Sequence, residues 1–263
     1  MKYPNLKKLV DIIAVLRSEN GCEWDREQTH KSLRPNMLEE AYEAVDAIDD
    51  GDIPNLREEL GDVLLQVVLH AQIAKDNNEF DIEDVAKELS EKLIHRHPHV
   101  FGNQKVESTQ DIIDNWDKLK KEEKTYRKSV LDGISKSQSA LMSAQKISKK
   151  VVKVGFEWDS VDSLKNCIKS EYKEFEEAIK EGDKDHMEDE MGDIFFATVN
   201  LARWYKIDAE QALLRANKKF MKRFKKMEEI KTKPFEDYTF DEFNELWEKA
   251  KIELAKETVH HLY

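Results

Sequence analysis

The 263 residues are 40% hydrophobic and 37% charged, with only 8 Gly and 5 Pro, so there is enough apolar material for a core and few breakers of long helices. The 43 basic and 55 acidic residues leave a formal net charge of −12. This excludes recognition of nucleic acid or an anionic membrane through the overall field, but not of a polyanion held through Mg²⁺ on clustered carboxylates.

Along the chain, Leu6, Leu9, Val10, Ile13 and Leu16 form a helical stripe. A second stripe, Leu38, Tyr42, Val45 and Ile48, is closed by Asp50-Gly51-Asp52, and a third runs through Leu56, Leu60, Val63, Leu64, Val67 and Ala71. Ile82–Arg96 reads as a fourth helix, stopped at Pro98, and Trp116–Lys124 as a further one. The plan then returns. Leu164, Ile168, Tyr172, Phe175 and Ile179 mark one helix, and Met187–Tyr205, Ala209–Lys231 and Phe240–Ala255 mark three more. No convincing alternation of period two is present. Leu9–Leu16, interrupted by Asp11, is too short for a secretory leader, and no stretch approaches membrane-span length. Cys22 and Cys167 form no Cys-x-x-Cys. The expectation is a soluble cytoplasmic protein.

The return is an internal duplication. Glu58-Glu59-Leu60-Gly61-Asp62 recurs as Asp189-Glu190-Met191-Gly192-Asp193, and Gly21-Cys22-Glu23-Trp24-Asp25 as Gly155-Phe156-Glu157-Trp158-Asp159. Between these lie Glu39-Glu40-Ala41-Tyr42-Glu43 and its echo Ser170-Glu171-Tyr172-Lys173-Glu174; downstream, Lys92 and Arg96 match Lys219 and Arg223. The expected architecture is all-α, with two tandem four-helix-bundle-like units over 1–128 and 129–263, divided in the polar stretch Lys124–Ser139.

Glu40 and Glu43 are i, i+3 on one helix, and Glu59 and Asp62 repeat that spacing on the next. A short turn between the helices makes them antiparallel neighbours, so four carboxylates can converge. Such charges repel unless a divalent cation joins them, and an all-oxygen set suits Mg²⁺, with Mn²⁺ as a substitute. Glu171, Glu174, Glu190 and Asp193 offer the same arrangement. One acidic pair in a chain this charged would read as a solvated face; two pairs on consecutive helices, duplicated in register, point to function. Ala44 and Ala47 share the Glu40 side, so something packs close there.

Glu-Glu-x-x-Glu followed by Glu-x-x-Asp resembles the MazG family of all-α nucleotide pyrophosphohydrolases. The resemblance extends to the Gly-Cys-Glu-Trp-Asp opening, Arg96-His97-Pro98-His99-Val100-Phe101, Trp116 to Glu123 and Ala144-Gln145-Lys146. It implies the two-copy form and Mg²⁺-dependent hydrolysis of nucleoside triphosphates, ribo- and deoxyribo-, to monophosphate and pyrophosphate. It further implies metal ligation by Glu40, Glu43, Glu59 and Asp62 and by their four counterparts, nucleotide binding by the C-terminal copy, and a homodimer that completes the bundles. One position departs from the pattern: Glu39, a candidate general base that aligns water, is replaced by Ser170 in copy two.

Lys219 and Arg223, i, i+4 on a basic helix, are candidates for the triphosphate, or else belong to a solvated basic face at Lys218–Lys226; Lys92 and Arg96 carry the same argument more weakly. Trp247 offers a face for a nucleobase, or a core or interface anchor. His95, His97 and His99 alternate around Pro98 without a further ligand and read as structural. Trp24 and Trp158 either staple the following segment or line a pocket. A di-iron bundle is disfavoured because Glu-x-x-His occurs only at Glu27–His30 and Glu257–His260, off the carboxylate helices. There is no P-loop sequence. The competing class is a non-catalytic helical module that binds nucleotide and metal.

Overall fold

The computed structural model describes residues 3–123, 125, 126 and 128–260, leaving aside the side chains of 121 and 258–260. Among these every regular element is helical: α1 (Pro4–Leu16), α2 (Glu23–Glu27), α3 (Arg34–Asp50), α4 (Ile53–Asp76), α5 (Ile82–Arg96), α6 (Pro98–Phe101) and α7 (Thr109–Glu122), then α8 (Ala140–Val152), α9 (Val161–Glu181), α10 (Lys184–Trp204), α11 (Ala209–Ile230) and α12 (Phe240–His260), with a 3₁₀ turn at Phe235–Asp237. The chain divides into two compact units, Met1–Thr125 and Tyr126–Tyr263. No helix among the described residues is long and apolar enough to cross a membrane.

Most expected helices stand within a few residues of their sequence signals, and the differences have local causes. Pro98 does not merely stop α5. It opens the short α6, because a residue without an N–H is suited to the first turn, where that donor has no partner. α7 begins at Thr109 rather than Trp116, since Ser108 Oγ accepts from Asp111 N at 3.1 Å while Asp111 Oδ2 accepts from the Glu107 and Ser108 amides at 3.0 Å each. Lys124, expected at the end of that helix, lies outside the described residues, as does the side chain of His260. Helix α8 was not foreseen; its signals are Ser139, which caps Met142 N at 3.3 Å, and Leu141, Ala144, Ile147 and Val151 on one face.

The carboxylate helices are joined by a two-residue turn in each unit. Gly51 (φ +69°) ends α3 and Gly182 (φ +72°) ends α9 in the left-handed region, which glycine enters without a Cβ clash. The next residues, Asp52 and Asp183, cap α4 and α10 by accepting from Asn55 N and from Asp185 and His186 N. Each pair is thereby folded back on itself. In the first unit α1 also packs on α4, and Ile13, Val68, Leu69 and Ile73 form a core cluster with Leu33, the N-cap of α3. In the second, α8 covers α10, and α11 pairs with α12 around Met227, Leu246 and Ala250.

The apolar stripe expected to form the core of α3 is turned outward: Tyr42 is 58% and Ile48 59% exposed, whereas Ala44 and Ala47 are buried. Small residues let α3 and α4 approach closely along the face that also carries Glu40 and Glu43. The larger apolar side chains are left uncovered, as are Leu60 and Leu64 on α4, Tyr172 and Ile179 on α9, and Phe195 on α10.

The three histidines around Pro98 serve packing. His95 pairs with Glu123 at 3.0 Å, His97 Nδ1 lies 2.6 Å from Leu93 O with its ring edge-on to Trp116, and His99 packs on His97. Arg96, assisted by His95, holds the Glu123 carboxyl at about 2, below its ordinary 4.5. A depressed carboxyl pKa contributes stability that is present above the ordinary value and lost as pH falls towards the folded one. The α5–α7 contact is expected to loosen between about pH 4.5 and 2, and Glu123→Gln to abolish that slope. Hydrogen exchange of α7 amides in the two proteins checks this; parallel acid profiles would reject it.

Candidate functional site

The α3–α4 pair brings Glu40, Glu43 and Glu59 together, with one carboxylate oxygen of each within 4.8 Å of the others. The i, i+3 spacing puts Glu40 and Glu43 on the Ala44–Ala47 face, and the Gly51 turn aligns Glu59 opposite them. Glu59 is buried, Glu40 half-buried and Glu43 exposed. Loss of solvation raises the Glu40 pKa, followed by the charges of Asp62, Glu43 and Glu39. Glu59 is raised by loss of solvation, then by Glu43 and Asp62. Asp62 stands outside the tight trio, yet both glutamates feel its charge.

The α9–α10 pair builds the matching trio from Glu171, Glu174 and Glu190, again within 4.8 Å. Here local donors relieve the repulsion. Ser170 Oγ donates to Glu174 at 2.9 Å, Cys167 Sγ to Glu171 at 3.2 Å, and His186 Nε2 lies 3.2 Å from Glu190 Oε1. Loss of solvation and the bond to Glu171 push the Cys167 thiol up to about 11, so it stays protonated and is no nucleophile at neutral pH. Glu190 Oε2 is buried and has no hydrogen-bond partner among the described residues. An orphaned carboxylate oxygen inside an all-oxygen trio is what a hard divalent cation would satisfy.

Beside the second trio is a cavity of about 370 Å³. Phe156 and Trp158, on the loop between α8 and α9, line it together with Phe196, Cys167 and Asn200, and Glu171 and Asp193 stand at its polar edge. Asp193, Ala197 and Asn200 are i, i+4, i+7 on α10, so one helix face runs from the carboxylates into the cavity. A network behind the wall holds it: Ser148 Oγ donates to Asn200 Oδ1 at 2.6 Å, and Asn200 Nδ2 to Phe196 O at 2.9 Å. Arg203 Nε donates to Ser148 Oγ and its Nη2 to Glu157 Oε1, both at 2.6 Å, and the latter oxygen also accepts from Trp158 N at 2.9 Å. Trp158 is thus a pocket residue, whereas Trp24 of the first unit is 58% exposed.

Sequence reasoning missed Cys167, Ser148, Asn200 and Arg203. A signal was available for Asn200, an amide set in the largely apolar run Ile194–Leu201, whose other polar residue is Thr198. None of the expected nucleotide residues Lys219, Arg223 and Trp247 lines this cavity. They sit on α11 and α12, where the Arg223 guanidinium stacks 5.5 Å from the Trp247 ring centroid and Trp247 packs among Phe220, Leu246 and Ala250. Lys219 is exposed; Glu39 is exposed on α3 beside the first trio.

Comparison with known proteins follows the same duplication. The MazG nucleotide pyrophosphohydrolase domain is matched at residues 28–101 and again at 159–227. The nucleoside triphosphate pyrophosphohydrolase/pyrophosphatase MazG of Thermotoga maritima is 45% identical over 249 residues, 93% of this chain and 95% of that one. The nucleoside triphosphate pyrophosphohydrolase of Escherichia coli K12 is 40% identical over 257 residues, 94% and 97% of the two chains. A solved structure of a mazG-related protein from Thermotoga maritima is 30% identical, with a TM-score of 0.39, over 44% of this chain and 98% of its own.

Proposed function

The chain belongs to the MazG nucleotide pyrophosphohydrolase family, and on that premise we propose the chemistry of its two carboxylate clusters. It is a nucleoside triphosphate pyrophosphohydrolase. The finer reading is Mg²⁺-dependent cleavage of ribo- and deoxyribonucleoside triphosphates at the α–β linkage, giving monophosphate and pyrophosphate. The observation that carries it is the second trio: three converging carboxylates, one with an orphaned buried oxygen, at the edge of an aromatic-lined cavity.

Glu171, Glu174, Glu190 and Asp193 would hold the ion in the second unit, and Glu40, Glu43, Glu59 and Asp62 in the first. When bound, Mg²⁺, or Mn²⁺ in its place, supplies positive charge for the phosphate oxygens and lowers the pKa of a water. The remaining work falls to side chains. Phe156, Trp158 and Phe196 offer apolar and aromatic surface to base and sugar, and exclude water from the carboxylate edge. Lys219 and Arg223 are assigned to the triphosphate tail, where a point charge and a planar fork offset the charge that collects on departing pyrophosphate. Trp247 orients the Arg223 fork. Glu39 would accept the proton of an attacking water in the first unit; Ser170, at that place in the second, holds Glu174 instead.

Ion-exchange analysis after incubation with each common NTP and dNTP, with Mg²⁺ and with EDTA, tests the reading. Monophosphate plus pyrophosphate, formed only with Mg²⁺, is expected; diphosphate plus phosphate would reject the assigned bond, and turnover in EDTA the metal.

The outward apolar side chains of α3, α4, α9 and α10 support a homodimer in which a second copy covers them. Sedimentation should then give about twice the 30.9 kDa chain mass. A monomer at micromolar concentration would reject the dimer.

A further inference from the structure

The two units differ at the arginine. Helices α5 and α7 of the first correspond to α11 and α12 of the second: Lys92 and Arg96 align with Lys219 and Arg223, and Trp116-Asp117-Lys118-Leu119-Lys120 with Trp247-Glu248-Lys249-Ala250-Lys251. The likeness extends to side chains. Arg96 lies 5.2 Å from the Trp116 ring centroid and Arg223 5.5 Å from that of Trp247, so in each unit an indole face sets the plane of a guanidinium.

Past the tryptophan the units part. Seven residues on stands Glu123 in the first and Leu254 in the second. Arg96 Nε donates to Glu123 Oε1 at 3.0 Å and to Oε2 at 3.1 Å, and its Nη2 also bonds Oε2. His95 closes on the same carboxylate, and Arg96 is left only 7% exposed. Arg223 is half-buried and has no carboxylate partner among the described residues. A carboxylate presents two oxygens to an arginine fork much as a phosphate does.

We propose that Glu123 occupies on Arg96 the place that a substrate phosphate takes on Arg223, so that the first unit is latched against triphosphate and the second alone reads it. This rests on the assignment of Arg223 to the triphosphate. It gives Glu123 the role of an internal phosphate mimic, and it makes the duplication unequal: both units carry a carboxylate trio, but only one has an open arginine. The carboxylates of the first unit and Glu39 are then held in reserve behind the latch.

The test is calorimetric titration of the full chain, in Mg²⁺, with an α,β-methylene triphosphate, which keeps the charge but lacks the bridging oxygen that is cleaved. The unaltered chain is expected to bind one equivalent and Glu123→Leu two. The reciprocal change, Leu254→Glu, installs the latch in the second unit and is expected to weaken binding about tenfold or more. Two equivalents on the unaltered chain, one on a folded Glu123→Leu, or full affinity in Leu254→Glu overturns the latch; if Glu123→Leu does not fold, Leu254→Glu decides alone. Arg223→Gln separates the two layers. Full affinity in that variant refutes the role of Arg223 and the latch with it; lost affinity, alongside Glu123→Leu and Leu254→Glu proteins that behave as the parent, refutes the latch alone.

Discussion

Exchanging Glu190 and Asp193 for Gln and Asn should lower triphosphate turnover by about a hundredfold or more. The substitutions keep size and hydrogen-bonding shape but remove the negative charge that draws a divalent cation. Glu190 is the sensitive member: its Oε2 is buried without a partner, so no side chain takes over what an ion would do there. Asp193 links that trio to the cavity wall along the same face of α10. The corresponding change in the first unit, Glu59→Gln with Asp62→Asn, is expected to leave turnover largely intact, because Arg96 is closed by Glu123. Steady-state kinetics of the two double variants, with Mg²⁺ affinity measured in parallel, provides the check. Undiminished activity in the Glu190/Asp193 variant would remove the second unit from the reaction, and equal losses in both would place chemistry in both.

Arg203→Met is expected to raise KM about tenfold with little change in kcat, and to cost about 2–3 kcal/mol of stability. Arg203 touches no proposed ligand. It donates to Ser148 and Glu157, and through them holds Asn200 on one cavity wall and the Trp158 backbone on another. Ser148 is fully buried, so loss of the guanidinium removes a donor that solvent cannot replace, and it frees the loop that carries Phe156 and Trp158. Thermal unfolding reports the stability and Trp158 fluorescence the loop. A fall in kcat at unchanged KM would mean that the network serves the carboxylates rather than the cavity.

The exposed apolar faces show how local signals can be correct and still misplaced. Tyr42 and Ile48 do keep a helical stripe, but periodicity identifies only which residues share a face, not what covers it. In α3 the covered face is the one with Ala44 and Ala47, because close helix approach selects small side chains, and that approach brings Glu40 and Glu43 to Glu59. The sequence does carry a hint in the two alanines beside Glu40. In α10, the apolar run Ile194–Leu201 conceals Asn200, whose partners Ser148 and Phe196 are 52 and 4 residues away.

By itself the sequence determined the longer helices apart from α8, the turn between α3 and α4, and the duplication. Those depend on residues a few positions apart: apolar spacing at i, i+3 and i+4, Asp caps, and the glycine at that sharp turn. It also determined the candidate ligands, since acids at i, i+3 on helices joined by a short turn have few places to go. Only the tertiary structure decided which face of each helix is buried, that the aromatic cavity adjoins the second trio, and that Arg96 is taken by Glu123 while Arg223 is not. Each of those depends on side chains from different helices meeting at hydrogen-bond or van der Waals distance, a condition set by packing that spacing along one helix does not encode.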